Sequence, residues 1–309
     1  MKSPASAGFF ILHSIMFTSA IETVAGFTRP IHSILRTYQG NNVLPGSATL
    51  FFVNDQGDAV TCKHVAELLA RSETINQQYQ LFRQEKNQIR QDNKASDALH
   101  ALEQKYQYQP DTLIQIKNNF MDCVDQIQGL TWHLHPTLDL AIIRFQGFNQ
   151  RHYRQHALFA KRPEQLKQGK FLCRLGYPFP EFTNFRYNAS SDDLEWTNSG
   201  VSHAPQFPIE GMVTRFLSDG TQFYGIEMST PGLRGQSGGP LFDENGIVYG
   251  LQYSTKHLHL GFDLVDMEVM VNNQVRKVTD YSFLHLGQCI HVDVIKSFLR
   301  QHQVPYSEA

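Results

Sequence analysis

Short runs of strand-forming residues recur along this chain, separated at close intervals by turn markers, and this punctuation restricts it to a fold assembled from many antiparallel strands. The candidate strands are Ile31 to Tyr38, Gly46 to Val53, Asp58 to Cys62, Ala141 to Phe145, Lys170 to Leu175, Gly211 to Leu217, Gln222 to Met228, Gly246 to Tyr253, Leu264 to Met270 and Val275 to Tyr281. Between them stand Asn54-Asp55-Gln56-Gly57, Asp219-Gly220, Asp243-Glu244-Asn245-Gly246 and Asn272-Asn273, whose residue types tolerate the tight and left-handed backbone of hairpin turns. Many strands at such spacing predict a barrel or a sandwich. With 309 residues, 41% of them hydrophobic, the chain can bury one large core or two modest ones.

The pattern breaks once, from Val65 to about Lys117. Val65-Ala66-Glu67-Leu68-Leu69-Ala70 opens a helix, and Tyr79, Leu81, Leu99, Leu102 and Tyr106 continue at helical spacing through Gln- and Lys-rich sequence. This predicts a helix-turn-helix insertion over about 65–117, a surface hairpin without a chemical role or else a lid or docking arm. A last helix is predicted over Asp293 to Gln303, with Val294, Ile295, Phe298 and Leu299 on its buried face.

Charge excludes one class of partner. Acids and bases are interspersed, 18% of residues are charged and the net charge is -2, so the basic footprint of nucleic-acid binding is missing. Cys62, Cys123, Cys173 and Cys289 are widely spaced with no CxxC pair, which predicts free buried thiols, with neither structural zinc nor a disulfide framework. Residues 1–16 read as a leader or extension. An apolar stretch near Phe9 to Phe17 loosely imitates a signal peptide, interrupted by His13 and Ser14, and Met16 offers an alternative start. The expectation is a soluble protein without a membrane span, cytoplasmic unless residues 1–20 act as an export signal.

The chemistry concentrates in Gly235-Gln236-Ser237-Gly238-Gly239-Pro240, followed by apolar Leu241-Phe242. A serine attacks a carbonyl only from an exposed tight loop, and flanking glycines let backbone N–H groups converge on the oxygen that becomes negative. Such a serine needs a base. Ala59-Val60-Thr61-Cys62-Lys63-His64-Val65 places His64 where a strand runs into a helix, a junction that holds the ring and leaves its tip free. The base needs a carboxylate to fix its tautomer, and Asp139 stands at the mouth of the apolar strand Leu140 to Phe145, where an unpartnered carboxylate would cost several kcal/mol.

The order His, Asp, Ser, within TCKHV, LDLAII and GQSGGPLF, resembles the trypsin-like serine peptidases. Leu175-Gly176-Tyr177-Pro178-Phe179-Pro180 and Gly211-Met212-Val213-Thr214 are similar to the bacterial branch that includes the HtrA-type proteases. The resemblance runs from about Phe27 to Phe298, the helical insertion excepted. It implies an all-β, chymotrypsin-like pair of six-stranded antiparallel barrels with a C-terminal helix: a peptidase domain over 17–309, its first barrel at about 27–150 and its second at about 165–290. It implies a serine endopeptidase acting through an acyl-enzyme, with catalytic His64, Asp139 and Ser237, an oxyanion hole from the N–H groups of Gly235 and Ser237, no cofactor, and a protein or peptide as substrate. Three departures stand out. Gln236 replaces the zymogen aspartate, Val65 follows the histidine where digestive members carry a cysteine, and no PDZ domain fits after the barrels.

By the same resemblance the substrate pocket is walled by Pro231, Gly232, Leu233 and Arg234 on one side and by Gln252, Tyr253 and Ser254 on the other. No acid stands where trypsin reads a basic side chain, so an apolar or small residue before the cut is expected, with His257 or His259 reading an acidic or amide group as the minority alternative. No metal is expected, although His133 with His135 and His257 with His259 have the spacing of paired ligands. The rival function is a barrel pair that captures a peptide on a strand edge with little or no cleavage; an esterase is a third.

Overall fold

The computed structural model describes residues 17–40, 42–89 and 95–309, so the expected leader over 1–16 lies outside the described residues. After helix α1 (Thr18–Ala25), strands β1 (Thr28–Thr37), β2 (Leu44–Phe52), β3 (Asp58–Thr61), β4 (Leu113–Phe120), β5 (Gly129–Leu134) and β6 (Ala141–Gln146) form an antiparallel sheet in the order β4-β1-β2-β3-β6-β5. The two ends of that order, β4 and β5, are not paired, so this half of the fold is a six-stranded half-barrel.

The helical insertion is real but shorter than the sequence suggests. Helices α2 (Lys63–Asn87) and α3 (Ala95–Tyr106) stand between β3 and β4, and the chain is already a strand from Leu113, where the sequence pattern carries the helical segment to about Lys117. Ile114 and Ile116 are fully buried, and the intervening Gln115 receives a hydrogen bond from Arg36 on β1 at 2.8 Å. The helix pair docks through Tyr79, Phe82 and Leu102 against Tyr38 and Ile114; Leu81, read from the sequence as an apolar helix position, is 53% exposed.

The second half begins with β7 (Leu158–Phe159) and β8 (Phe171–Gly176), then a two-stranded sheet of β9 (Phe185–Asn188) and β10 (Asp193–Trp196). It continues with β11 (Phe207–Ser218), β12 (Phe223–Met228), β13 (Pro240–Phe242), β14 (Val248–Val271) and β15 (Gln274–His291), helix α4 (Val292–Gln301) and β16 (Ser307–Glu308). The order β13-β8-β11-β12-β15-β14 closes on itself because β13 also pairs with β14, giving a ring of six, and β7 and β16 join outside it. The segments Leu264 to Met270 and Val275 to Tyr281 are not separate barrel strands. They are the outer halves of β14 and β15, joined by Asn272 and Asn273 at φ 50° and 59°, the left-handed pair of a type I′ turn.

One apolar cluster runs through both halves, from Phe51, Phe52 and Ile142 to Leu175, Phe242, Leu251 and, on α4, Ile295 and Phe298. Helix α4 buries Val294, Ile295, Phe298 and Leu299 as its pattern predicts, and His291 caps its N-terminus by accepting from Asp293 N. All four cysteines are free and buried. No helix of the described residues is long and apolar enough to cross a membrane.

Candidate active site

His64 is the second residue of α2, whose N-cap Cys62 has extended backbone and directly follows the end of β3 at Thr61. A helix start leaves its first N–H groups without intrahelical partners. Asp139 answers one of them: its Oδ1 accepts from His64 N at 2.9 Å while Oδ2 lies 2.7 Å from His64 Nδ1. Burial alone would raise the Asp139 pKa, but the hydrogen bonds from the His64 ring and backbone outweigh it and hold the carboxyl below its usual value. An ionised carboxylate on Nδ1 keeps the proton there and leaves Nε2 free to accept one.

Asp139 is positioned by a turn whose organiser is His135. The His135 Nδ1 accepts from Leu138 N at 3.0 Å and Thr137 N at 3.3 Å, and His135 N donates to Leu140 O at 2.9 Å. Phe298 of α4 packs against the ring at 5.0 Å. Sequence reasoning weighed His135 only as a metal ligand; a His four residues before an Asp at a strand mouth carries no signal for this role.

The serine loop takes its shape from two turns. Gln236 N donates to Leu233 O at 3.0 Å around Gly235 at φ 96°, and Gly239 N donates to Gln236 O at 2.9 Å around Gly238 at φ 90°. A side chain at Gly235 would stand 2.6 Å from Tyr177 O, so this position excludes one twice over, by conformation and by space. From inside, the buried Gln236 side chain accepts from Leu233 N at 3.1 Å and donates to Phe207 O at 3.1 Å. Thr49 clamps the loop from β2, its N donating to Ser237 O and its hydroxyl to Gly235 O. Gly238 N donates to Gln252 O of β14 at 2.8 Å, so the amides of Gln236, Gly238 and Gly239 are all committed, whereas those of Gly235 and Ser237 have no partner among the described residues.

His64, Gly235 and Ser237 open onto one cavity of about 180 Å³ whose remaining lining is mainly apolar, from Ile31 and Leu35 on β1 to Val65 and Leu68 on α2. Among the described residues the hydrogen bond of the His64 ring is to Asp139, and none joins it to Ser237. Of the expected pocket wall, only Arg234 touches this cavity. Gly232 is tied to Thr255 on β14, whose hydroxyl accepts from Gly232 N at 2.9 Å, so the two walls are stitched together. Gln252 is 2% exposed and turned away, holding Ser254 O at 2.7 Å and receiving the Arg174 Nη1 at 2.7 Å. Arg174 is fully buried behind the wall and also donates to Thr230 O and Oγ1; no carboxylate pairs with it among the described residues.

The members of the two histidine pairs have separate neighbours. His133 stacks on His302 at 4.1 Å, His259 bonds Asp263 at 2.7 Å, and His257 Nδ1 meets His285 Nδ1 across the strands at 2.6 Å. Cys62, His64 and Asp139 do bring ligand-type atoms within 4.8 Å of one another. Cys62 is a poor third ligand, because complete burial holds its thiol protonated and its Sγ donates to Gln252 O.

The family model for the trypsin-like peptidase domain matches residues 48–251, a span that contains His64, Asp139 and Ser237. No curated protein matches the chain. Among solved structures, an HtrA-type protease AlgW with tripeptide is similar at a TM-score of 0.46 and 13% identity, covering 94% of this chain and 65% of that one. A variant of the same protease with decapeptide has a TM-score of 0.47 and 13% identity, covering 94% and 68%. The chain spans about two thirds of the length of these structures.

Proposed function

This chain belongs to the trypsin-like peptidase domain family, and from that premise we propose that it is a serine endopeptidase in which Ser237 is the nucleophile, His64 the general base and Asp139 the group that orients it. The observation that carries the reading is the double hold of Asp139 on His64, at 2.9 and 2.7 Å, in a cavity shared with Ser237. The reading treats residues 17–309 as one peptidase unit, its barrels at about 27–150 and 165–290.

The steps follow from the proton inventory. His64 Nε2 takes the Ser237 hydroxyl proton as Oγ bonds to the carbonyl carbon of an extended peptide, and the carbonyl oxygen becomes an oxyanion. The uncommitted N–H groups of Gly235 and Ser237 donate to it; one such donor is typically worth about 3 kcal/mol of transition-state stabilisation. Collapse breaks the C–N bond, and the imidazolium gives its proton to the departing amine. Water then enters, His64 removes its proton, the hydroxide attacks the acyl-enzyme, and the ester bond to Ser237 breaks as the oxygen recovers the proton. Asp139 stays ionised throughout and stabilises the transient imidazolium.

Behind the pocket wall the fixed charge is the Arg174 guanidinium. A Lys or Arg side chain entering there would meet like charge across a dry barrier, so the pocket favours an apolar or small residue before the cut.

A second reading, a peptide-binding module with weak or no cleavage, draws on the absence of a Ser237–His64 hydrogen bond at rest. The two are separated by a fluorophosphonate probe and by mass spectrometry of peptide products. The peptidase labels, cuts peptides, and loses both properties in Ser237→Ala. A folded wild-type chain that binds peptides yet neither labels nor cuts them is the binding module, and labelling with cleavage of esters alone marks an esterase.

A further inference from the structure

The outer halves of β14 and β15 leave the barrel as a free ribbon. β14 pairs with β13 only from Val248 to Leu251, and β15 with β12 only from Gly287 to Ile290; beyond these, the two strands pair with each other alone, out to Val271 and Gln274. From His257 to His285 nearly every residue is exposed. An unsupported two-stranded ribbon is marginally stable in water, and its outer edges present unpaired backbone groups.

The register divides its side chains between two faces. On β15, Phe283, Tyr281 and Lys277 share one face with His285, which meets His257 across the strands. That face also carries Val275 and its partner Met270; the opposite face carries Leu284, Ser282, Val278 and Gln274, with Leu258 and Met267 across from Leu284 and Val278, and Leu264 and Val269 across from its two charges on β15, Asp280 and Arg276. Leu264, Met267, Val278 and Leu284 are 45%, 47%, 38% and 46% exposed. Arg276 and Asp280 stand two residues to either side of Val278. A two-fold axis that lies between two such faces, at right angles to the strands and level with Val278, lays each face on its copy with strands antiparallel and puts each Arg276 against the other copy's Asp280.

We propose that this chain self-associates through that face of the ribbon, as an isologous pair centred on Val278 with reciprocal Arg276–Asp280 contacts. Self-complementary charge about one axis is what an isologous interface needs, and a partner of another kind has no reason to match it. The face draws on alternate residues of the ribbon, about half of those from 257 to 285, so the contact lies at the small end of specific interfaces and leans on its reciprocal charge pairs. The inference does not depend on the peptidase reading, since none of these residues touches the candidate site.

Sedimentation of the full chain at micromolar concentration tests it. Wild type is expected to run as a dimer and Val278→Lys as a monomer. Arg276→Asp or Asp280→Arg alone, each bringing like charges together twice, should weaken the dimer on the order of a hundredfold. The double variant Arg276→Asp with Asp280→Arg should recover it to within about tenfold. All positions are exposed, so unchanged circular dichroism is expected and separates loss of association from loss of fold. A monomeric wild type, or a dimer indifferent to Val278→Lys, overturns the proposal. So does a monomer that instead floats with anionic phospholipid vesicles and loses flotation in Val278→Lys, which would make the face a membrane contact.

Discussion

Asp139 holds His64 at two points, the ring through Oδ2 and the helix start through Oδ1, so one carboxylate both sets the imidazole tautomer and caps α2. The two duties can be separated by substitution. In Asp139→Asn the amide oxygen can still accept from His64 N, but the amide N–H would face Nδ1 and drive the ring proton to Nε2. The expected result is a loss of about 10⁴ in kcat with little change in thermal stability. Asp139→Ala removes the cap as well and should cost a further ~1 kcal/mol of stability. Steady-state kinetics alongside thermal unfolding of both variants checks this; equal activity in wild type and Asp139→Asn would remove Asp139 from the mechanism.

Gln236 is the internal brace of the serine loop. Gln236→Leu fills the same space but leaves Leu233 N and Phe207 O without their side-chain partner, each a loss of about 1–3 kcal/mol when buried. The loop should then sample arrangements in which Gly235 N no longer faces the substrate. Since an oxyanion donor acts on the transition state, kcat should fall about 10²-fold while KM stays nearly constant. A change confined to KM would place Gln236 in substrate binding instead.

How far this site could be read beforehand depended on how local its causes are. The serine loop was legible because glycines at 235 and 238 answer a backbone demand made within six residues. Asp139 was legible because a carboxylate beside the buried strand β6 calls for a partner. Strand β4 was not, since its polar residues are matched only by distant ones: Gln115 by Arg36, Lys117 by Asp193 at 2.6 Å, and Asn118 by Ser33 at 2.7 Å. The role of His135 was equally hidden, because a ring nitrogen that accepts from two backbone amides leaves no mark on composition. The continuity of the ribbon strands with the barrel was masked by the register shifts after Gln252, His259 and Leu264, which break the alternation.

Arg174 yields a prediction about specificity. Its guanidinium is buried behind Gln252 and Thr230 with no acid to neutralise it among the described residues. A peptide library digested by the wild-type chain should show cleavage after Lys or Arg at least ~100-fold less efficient than after apolar residues, because like charges held together in a dry site cost several kcal/mol. Frequent cleavage after basic residues would contradict the pocket described here. Arg174→Met, which leaves Gln252 Oε1 with only the Cys289 thiol and Thr230 O with only Gly287 N as donors, should also lower stability by about 1 kcal/mol.

His32 makes stability depend on pH in a window distinct from that of the carboxylates. It is fully buried on β1, stacked on Phe182 at 4.1 Å, with Nε2 accepting from Ala204 N and Nδ1 enclosed without a partner. Burial, aided by the nearby His203 and opposed by Asp122, pulls its pKa down to about 4. An unfolded histidine titrates near 6.5, so between about 6.5 and 4 the unfolded chain binds a proton that the native chain refuses. Unfolding free energy should therefore fall as pH drops through that window, with a share from His32 of about 3 kcal/mol, and should level off for this group below pH ~4. His133, His135 and His291 are shifted in the same direction and add to the slope, whereas Asp139, held below its usual value, contributes only at more acid pH. His32→Gln keeps an acceptor for Ala204 N and has no proton to take up. Denaturant unfolding at a series of pH values should show a shallower decline in that variant, and an identical slope would mean that His32 is protonated in the folded chain or reached by solvent.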